Sequence, residues 1–196
     1  MSELQILLSV ALGVGLAAAV GFRVFLPLLI ASVAAYTGHL NLTGGFEWLG
    51  TLPAVVMLGA AAVLEVLAYY IPGVDNALDA VATPLALVAG TVVAAAVMTD
   101  MPPLIKWTTA VIAGGGAAGL TQGTTALLRA KSTATTGGLG NAVVATAELG
   151  GAIGVSLLAL FAPVIALLIV VSFCWLVIRF ARRRFARRRA DTSTSS

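Results

Sequence analysis

Residues 4–36 read LQILLSVALGVGLAAAVGFRVFLPLLIASVAAY, and Arg23 is the one charged residue among them. A single α-helix of that length rises about 50 Å at 1.5 Å per residue. A bilayer's hydrocarbon core is about 30 Å thick, so the stretch must tilt, protrude or break. Gly21 and Pro27 bracket Arg23, and proline removes a backbone donor while crowding the preceding turn. A helix interrupted there is the preferred form; one long tilted helix is the alternative that composition leaves open.

The rest of the chain supports the same environment. Sixty per cent of the 196 residues are hydrophobic and 10% are charged, against ~45–50% and ~25% in soluble domains. So much apolar surface does not fit inside one soluble core of this size, and one cysteine, Cys174, excludes a disulfide framework. Further apolar runs follow at Pro53–Ile71, Ala80–Met98 and Leu104–Leu128. Asn141–Phe180 is twice a membrane's length, and Pro163 divides it into spans at about 143–161 and 163–180. The predicted fold is all-α: a polytopic transmembrane helical bundle of about six spans in one domain, residues 1–180, with broken helices.

The net charge of +3 is unevenly placed. Residues 1–178 hold four Lys/Arg against seven Asp/Glu, whereas residues 179–196 hold seven arginines against Asp191. Basic residues stay on the cytoplasmic side of a membrane. Six spans then put the N-terminus, Arg129, Lys131 and the Arg179–Arg189 cluster together in the cytoplasm, with Lys106 outside beside Asp100. Residues 181–196 read as a disordered basic tail whose arginines meet anionic headgroups, not nucleic acid. Met1–Gln5 carries no positive charge, so no cleavable signal peptide is expected. Self-association is left open.

Self-similarity appears at an offset of about 101 residues. Gly13-Val14-Gly15 matches Gly114-Gly115-Gly116, and Glu47-Trp48-Leu49-Gly50 matches Glu148-Leu149-Gly150. Half-repeats over 1–100 and 104–180, each of three spans, would be inverted relative to one another, as in many transporters.

Polar residues inside apolar spans are the candidates for function. Arg23 has two candidate partners, Glu65 in the second span and Glu148 in the fifth. The pair is either a structural tie between helices or a cationic site for an anionic solute or headgroup. Gln122 needs hydrogen-bond partners, from a neighbouring helix or a wet pathway. Gly115, Gly119 and Gly123 lie at i, i+4, i+8 and present one face for close helix packing. Asp75 and Asp79, loop acids after the Pro72-Gly73 turn, lie four apart on a short helix entering the third span, where they cap its N-terminus or, as a lesser reading, bind a cation. Phe46, Trp48, Tyr69 and Tyr70 read as a headgroup-level aromatic belt. His39 is the only histidine, and no catalytic set, metal-ligand spacing or phosphate loop is present. No enzyme activity, metal or cofactor is therefore expected.

Gly21-Phe22-Arg23-Val24-Phe25-Leu26-Pro27-Leu28-Leu29 resembles the first-span signature of small bacterial membrane proteins catalogued as a domain of unknown function, family 4126. Leu64-Glu65 with Ile71-Pro72-Gly73-Val74-Asp75 and Asp79 is similar to its second block, and Asn141, Glu148 and Pro163 to its third. The resemblance implies a compact polytopic protein of the bacterial inner membrane and carries over no activity. Tyr69-Tyr70 stands where the pattern has charged residues, Thr83-Pro84-Leu85 lacks a basic one, and Ser132–Gly140 lacks a Pro-Glu-Pro turn. Two functions are expected: a small transporter or channel with Arg23, Glu65, Gln122 and Glu148 along its path, or a non-transporting scaffold. A lipid-handling enzyme ranks third.

Overall fold

A computed structural model describes residues 3–71, 74–99 and 101–193, without the side chains of Asn76 and residues 184–193. The elements are α1 (Glu3–Val20), α2 (Phe25–Tyr36), a 3-10 turn (Glu47–Gly50), α3 (Leu52–Ala68) and α4 (Val74–Val97). They continue with α5 (Pro103–Thr109), a π-helical stretch (Ala110–Gly115), α6 (Gly116–Thr136), α7 (Asn141–Phe161) and α8 (Pro163–Ser193). No strand occurs among the described residues. The all-helical expectation holds, and the first stretch is broken at Gly21–Val24. Glu3–Val20, Ala77–Val97, Asn141–Phe161 and Pro163–Arg183 are long and apolar enough to cross a membrane. α3 is an apolar helix of 17 residues, at the short end of what a membrane needs.

Local signals set the boundaries. Thr51 caps α3 by accepting from Ala54 N, with proline in the first turn. Gly137 ends α6 in the left-handed region at φ 63°. Ala162, at φ −143°, is driven out of the helical region by Pro163 and separates α7 from α8.

Close-packed glycines reveal the directions of the helices. Gly13 lies against Ala94 and Met98, Ala17 against Gly90 and Gly114, and Gly21 against Ala118, Thr121 and Gln122. α1 therefore runs antiparallel to α4 and parallel to α6, and ends about halfway along α4 and along the continuous run from α5 to α6. Phe22 meets α7 at Gly151, also near its middle. α2 then turns back beside α3, with Leu29 at Gly59 and Ala35 at Gly50. The loop after α2 returns to the C-terminal end of α4, where Thr43 N donates to Ala96 O at 2.8 Å. Lys106 Nζ donates to Thr43 Oγ1 at 3.3 Å at that same end; Asp100, its expected neighbour, lies outside the described residues.

The first stretch is thus a re-entrant hairpin: both arms enter from one end of the body, and its tip lies near mid-depth. The last helix is placed by a further close contact. Gly15 packs on both Ala159 and Ala166, so α8 folds back on α7 and runs beside α1. Its Ala166, Val170 and Cys174 face the core, so Cys174 does not simply face lipid. The start of α1 and the end of α8 lie at opposite ends of the body. We call them the entry end, with α1's start, and the tail end, with the α3–α4 and α6–α7 connections.

The backbone of α8 continues helical through the segment expected to be a disordered tail, as far as Ser193. Arg179, Arg182 and Arg183 are exposed on it, and the side chains of Arg184 and Arg187–Arg189 lie outside the described residues. The blocks that suggest a repeat occupy unlike places: Glu47 is on the exposed 3-10 turn, and Glu148 is buried inside α7. The core around α1 is made largely of small residues, among them Ala11, Ala17–Ala19, Ala86, Ala94–Ala96 and Ala118. Small side chains let several helix backbones close on one central helix, which is how packing is gained in lipid.

Candidate functional site

The hairpin tip carries the site. Breaking the helix at Gly21–Val24 leaves the first amides of α2 without helical partners at mid-depth. The Glu65 carboxylate of α3 supplies them, accepting from Val24 N at 2.7 Å and Phe25 N at 3.0 Å. A carboxylate at a helix N-terminus also faces the positive end of its dipole. Glu65 is therefore a helix cap, and the Arg23 ion pair is made elsewhere.

Arg23 extends from the tip toward the tail end. Its side chain is fully buried, and Nη2 donates to Ala145 O at 3.0 Å and lies 3.4 Å from Glu148 Oε2. The same Oε2 accepts a hydrogen bond from Arg129 Nη2, whose Nη1 donates to Asp79 Oδ1 at 2.7 Å. The Tyr69 ring lies against both arginines, with their guanidinium carbons 3.8 and 4.3 Å from its centroid. Tyr69 Oη donates to Asp79 Oδ1 at 3.3 Å. Nearer the tail end, Asn141 Nδ2 donates to Asp75 Oδ2 at 2.5 Å and to Thr133 Oγ1 at 2.9 Å. Four helices and the tip thus meet in one buried polar cluster.

Its depth follows from position along the helices. Arg129 precedes Thr136 by seven residues and Glu148 follows Asn141 by seven, which is about 10 Å from the tail end at 1.5 Å per residue. Not every group in the cluster is matched. Arg23 Nε, Arg23 Nη1, Arg129 Nε and Glu148 Oε1 are buried without a hydrogen-bond partner in the protein. Such groups are costly in a low-dielectric interior.

Of the expected pathway residues, Arg23 and Glu148 come together and Glu65 adjoins them through the cap. Gln122 is buried one level away, where α6 passes the tip at Gly21. Asp75 and Asp79 lie four apart in α4, Asp75 in its first turn, and both accept from nitrogen donors, which leaves them poor cation ligands. No group of three or more His, Cys, Asp or Glu suited to a metal occurs among the described residues. The Pro72-Gly73 turn lies outside those residues. Gly115 and Gly119 pack on Leu87 and Thr91 of α4, while nothing lies within 4 Å of where a Gly123 side chain would stand.

Sequence reasoning missed Arg129 and Tyr69. Arg129 reads as a cytoplasmic flank because the apolar run stops at Leu128, yet α6 continues to Thr136 and buries it. The available signal was the stripe Gln122, Thr125, Arg129 at i, i+3, i+7, which places three polar side chains on one face. Tyr69 reads as an interface anchor but is 4% exposed.

Compared with known families, residues 10–183 match the model of a domain of unknown function, DUF4126. The chain belongs to that family. The DUF4126 region includes the hairpin tip and every residue of the buried cluster, so the site lies inside the family's defining segment. Comparison with curated proteins and with solved structures gives no match.

Proposed function

We propose that this DUF4126 protein is a small membrane transporter whose solute binds at the Arg23–Arg129 cluster beneath the hairpin tip. The observation that carries the reading is the mid-depth hairpin whose tip presents a buried arginine to unmatched polar atoms. Buried ionisable groups in membrane helices are expensive and mark substrate or ion paths. Interrupted helices at such sites supply backbone amides and dipole ends near the midplane. The basic residues of α8 favour a tail end that faces the cytoplasm and rests on anionic headgroups. The entry end, with the start of α1, then lies on the opposite face. The reading needs no catalytic step.

A scaffold role has one observation in its favour: Arg129 already has carboxylate partners at both terminal nitrogens. Arg23→Met combined with Glu148→Gln separates the two, because one charge of each sign is removed and Arg129 keeps Asp79. Proteoliposomes are challenged with radiolabelled phosphate, sulfate, lactate and glutamate. Transport predicts uptake of at least one probe by the wild type and its loss in the folded double variant. No uptake of any probe, or uptake unchanged in the variant, contradicts a transport role for this cluster.

A further inference from the structure

This inference rests on the transporter reading and gives its substrate a chemical class. Three guanidinium nitrogens in the cluster, Arg23 Nε, Arg23 Nη1 and Arg129 Nε, lack acceptors, against two oxygens, Glu148 Oε1 and Asn141 Oδ1, that lack a donor. Donors are in surplus, so the complement that fits is rich in acceptor oxygens and is not a cation.

Charge decides how such a group can enter. The titratable groups gathered around Glu148 of α7 are Arg23 at the tip, Glu65 of α3, Tyr69 just after α3, Asp75 and Asp79 of α4, and Arg129 of α6. Glu65 is met by the amides of α2 and Asp75 by Asn141. Arg23 and Arg129 pair with Glu148 and Asp79, so the cluster as a whole sets four carboxylates against two guanidinium groups. An anion arriving alone would add a further negative charge to this buried site, which a low-dielectric interior resists. One proton taken up with each anion leaves the net charge of the site unchanged.

We propose that a small oxyanion, a carboxylate or a phosphate, binds across Arg23 and Arg129 in place of the Glu148 carboxylate, and that Glu148 takes up one proton as it is displaced. No covalent bond to carbon or phosphorus changes. The anion and the proton enter together, and both leave when Glu148 releases its proton and returns to the arginines. Glu148 is thus a resident stand-in for the substrate, already holding both guanidinium groups through one oxygen.

The test uses the full-length protein in detergent micelles, with acetate as the probe for pH dependence. Binding is read by calorimetry between pH 5.5 and 8, and proton uptake by a pH dye in weak buffer. The expected result is about one proton taken up per acetate bound, with affinity rising toward tenfold for each unit that pH falls. Glu148→Gln should bind acetate at least tenfold more tightly at pH 7.5 and without pH dependence. If that variant does not fold, the wild-type proton count still decides.

Inorganic phosphate and phosphatidic acid in mixed micelles, each competed against acetate at pH 7, distinguish a free solute from a lipid headgroup; displacement by either supports the site. Acetate binding with no proton uptake, or no binding of any of the three probes to folded protein, overturns the proposal. Flux in liposomes without proton-linked binding removes this inference and keeps the transporter. Proton-linked binding without flux does the reverse.

Discussion

Replacing Glu65 tests whether the hairpin tip is held by a side chain from α3. Glu65 is 9% exposed, and its carboxylate accepts two backbone hydrogen bonds, at 2.7 and 3.0 Å. Hydrogen bonds to a charged acceptor contribute about 1.5–3 kcal/mol each, and a buried donor left unmatched costs about 1–3 kcal/mol. Recovered desolvation of the carboxylate offsets part of this, as it does when one partner of a buried pair is removed. Glu65→Ala should therefore destabilise by ~3–5 kcal/mol. Glu65→Gln keeps the length and one acceptor oxygen but turns an amide donor toward the second N–H, for ~1–3 kcal/mol. Equilibrium unfolding by SDS titration in mixed micelles gives the two values. Hydrogen exchange locates the effect: Val24 and Phe25 amides should exchange at least tenfold faster in Glu65→Ala, since ~1.4 kcal/mol is a factor of ten. Amides of Val93–Ala96 inside α4 should keep their protection. An Ala variant within ~0.5 kcal/mol of wild type, or unchanged exchange at Val24 and Phe25, would refute the capping argument.

Other substitutions probe the packing and the cation contacts. A methyl at Gly21 would collide with Ala118 O and stand 2.5 Å from Thr121 Cβ, so Gly21→Ala should destabilise by ~2–3 kcal/mol through overpacking. Gly123→Ala meets nothing within 4 Å and should be neutral or stabilise by up to ~1 kcal/mol through helix propensity; thermal melts in detergent check both. Tyr69→Phe keeps the ring against Arg23 and Arg129 and should cost ~0.5–1.5 kcal/mol. Tyr69→Leu, which loses both desolvated cation–π contacts as well, should cost ~3–5 kcal/mol by the same SDS titration.

The sequence carried much of the fold because the membrane permits few solutions. Apolar run lengths and Pro163 locate most helices, and Gly21 with Pro27 mark the break in the first stretch. They do not show that the chain reverses there. A kink and a hairpin have the same local composition, and the choice is made by distant contacts: Glu65 at the tip, Gly59 beside Leu29, Ala96 bonded to Thr43. That one choice also decides at which end α1 starts relative to α8. The site was legible where a charge interrupts hydrocarbon-like sequence, as at Arg23, Glu65 and Glu148. It was illegible where a charge follows the apolar run, because Arg129 is buried by the threonine-rich continuation of α6 and not by any apolar pattern. Tyr69 was hidden for a related reason: at the end of an apolar helix an inward tyrosine and an interfacial one look alike.

Access of water-borne reagents to the cluster from both faces tests the transport account most directly. Thr125 lies on the buried face of α6 between Gln122 and Arg129 and is 5% exposed. A Thr125→Cys protein in a Cys174→Ser background is reconstituted in vesicles and treated with a membrane-impermeant thiosulfonate, from outside or from within. The account predicts modification from either face, as the region beneath the tip opens alternately to each. A folded protein that is modified from neither face, or from one face alone, contradicts it.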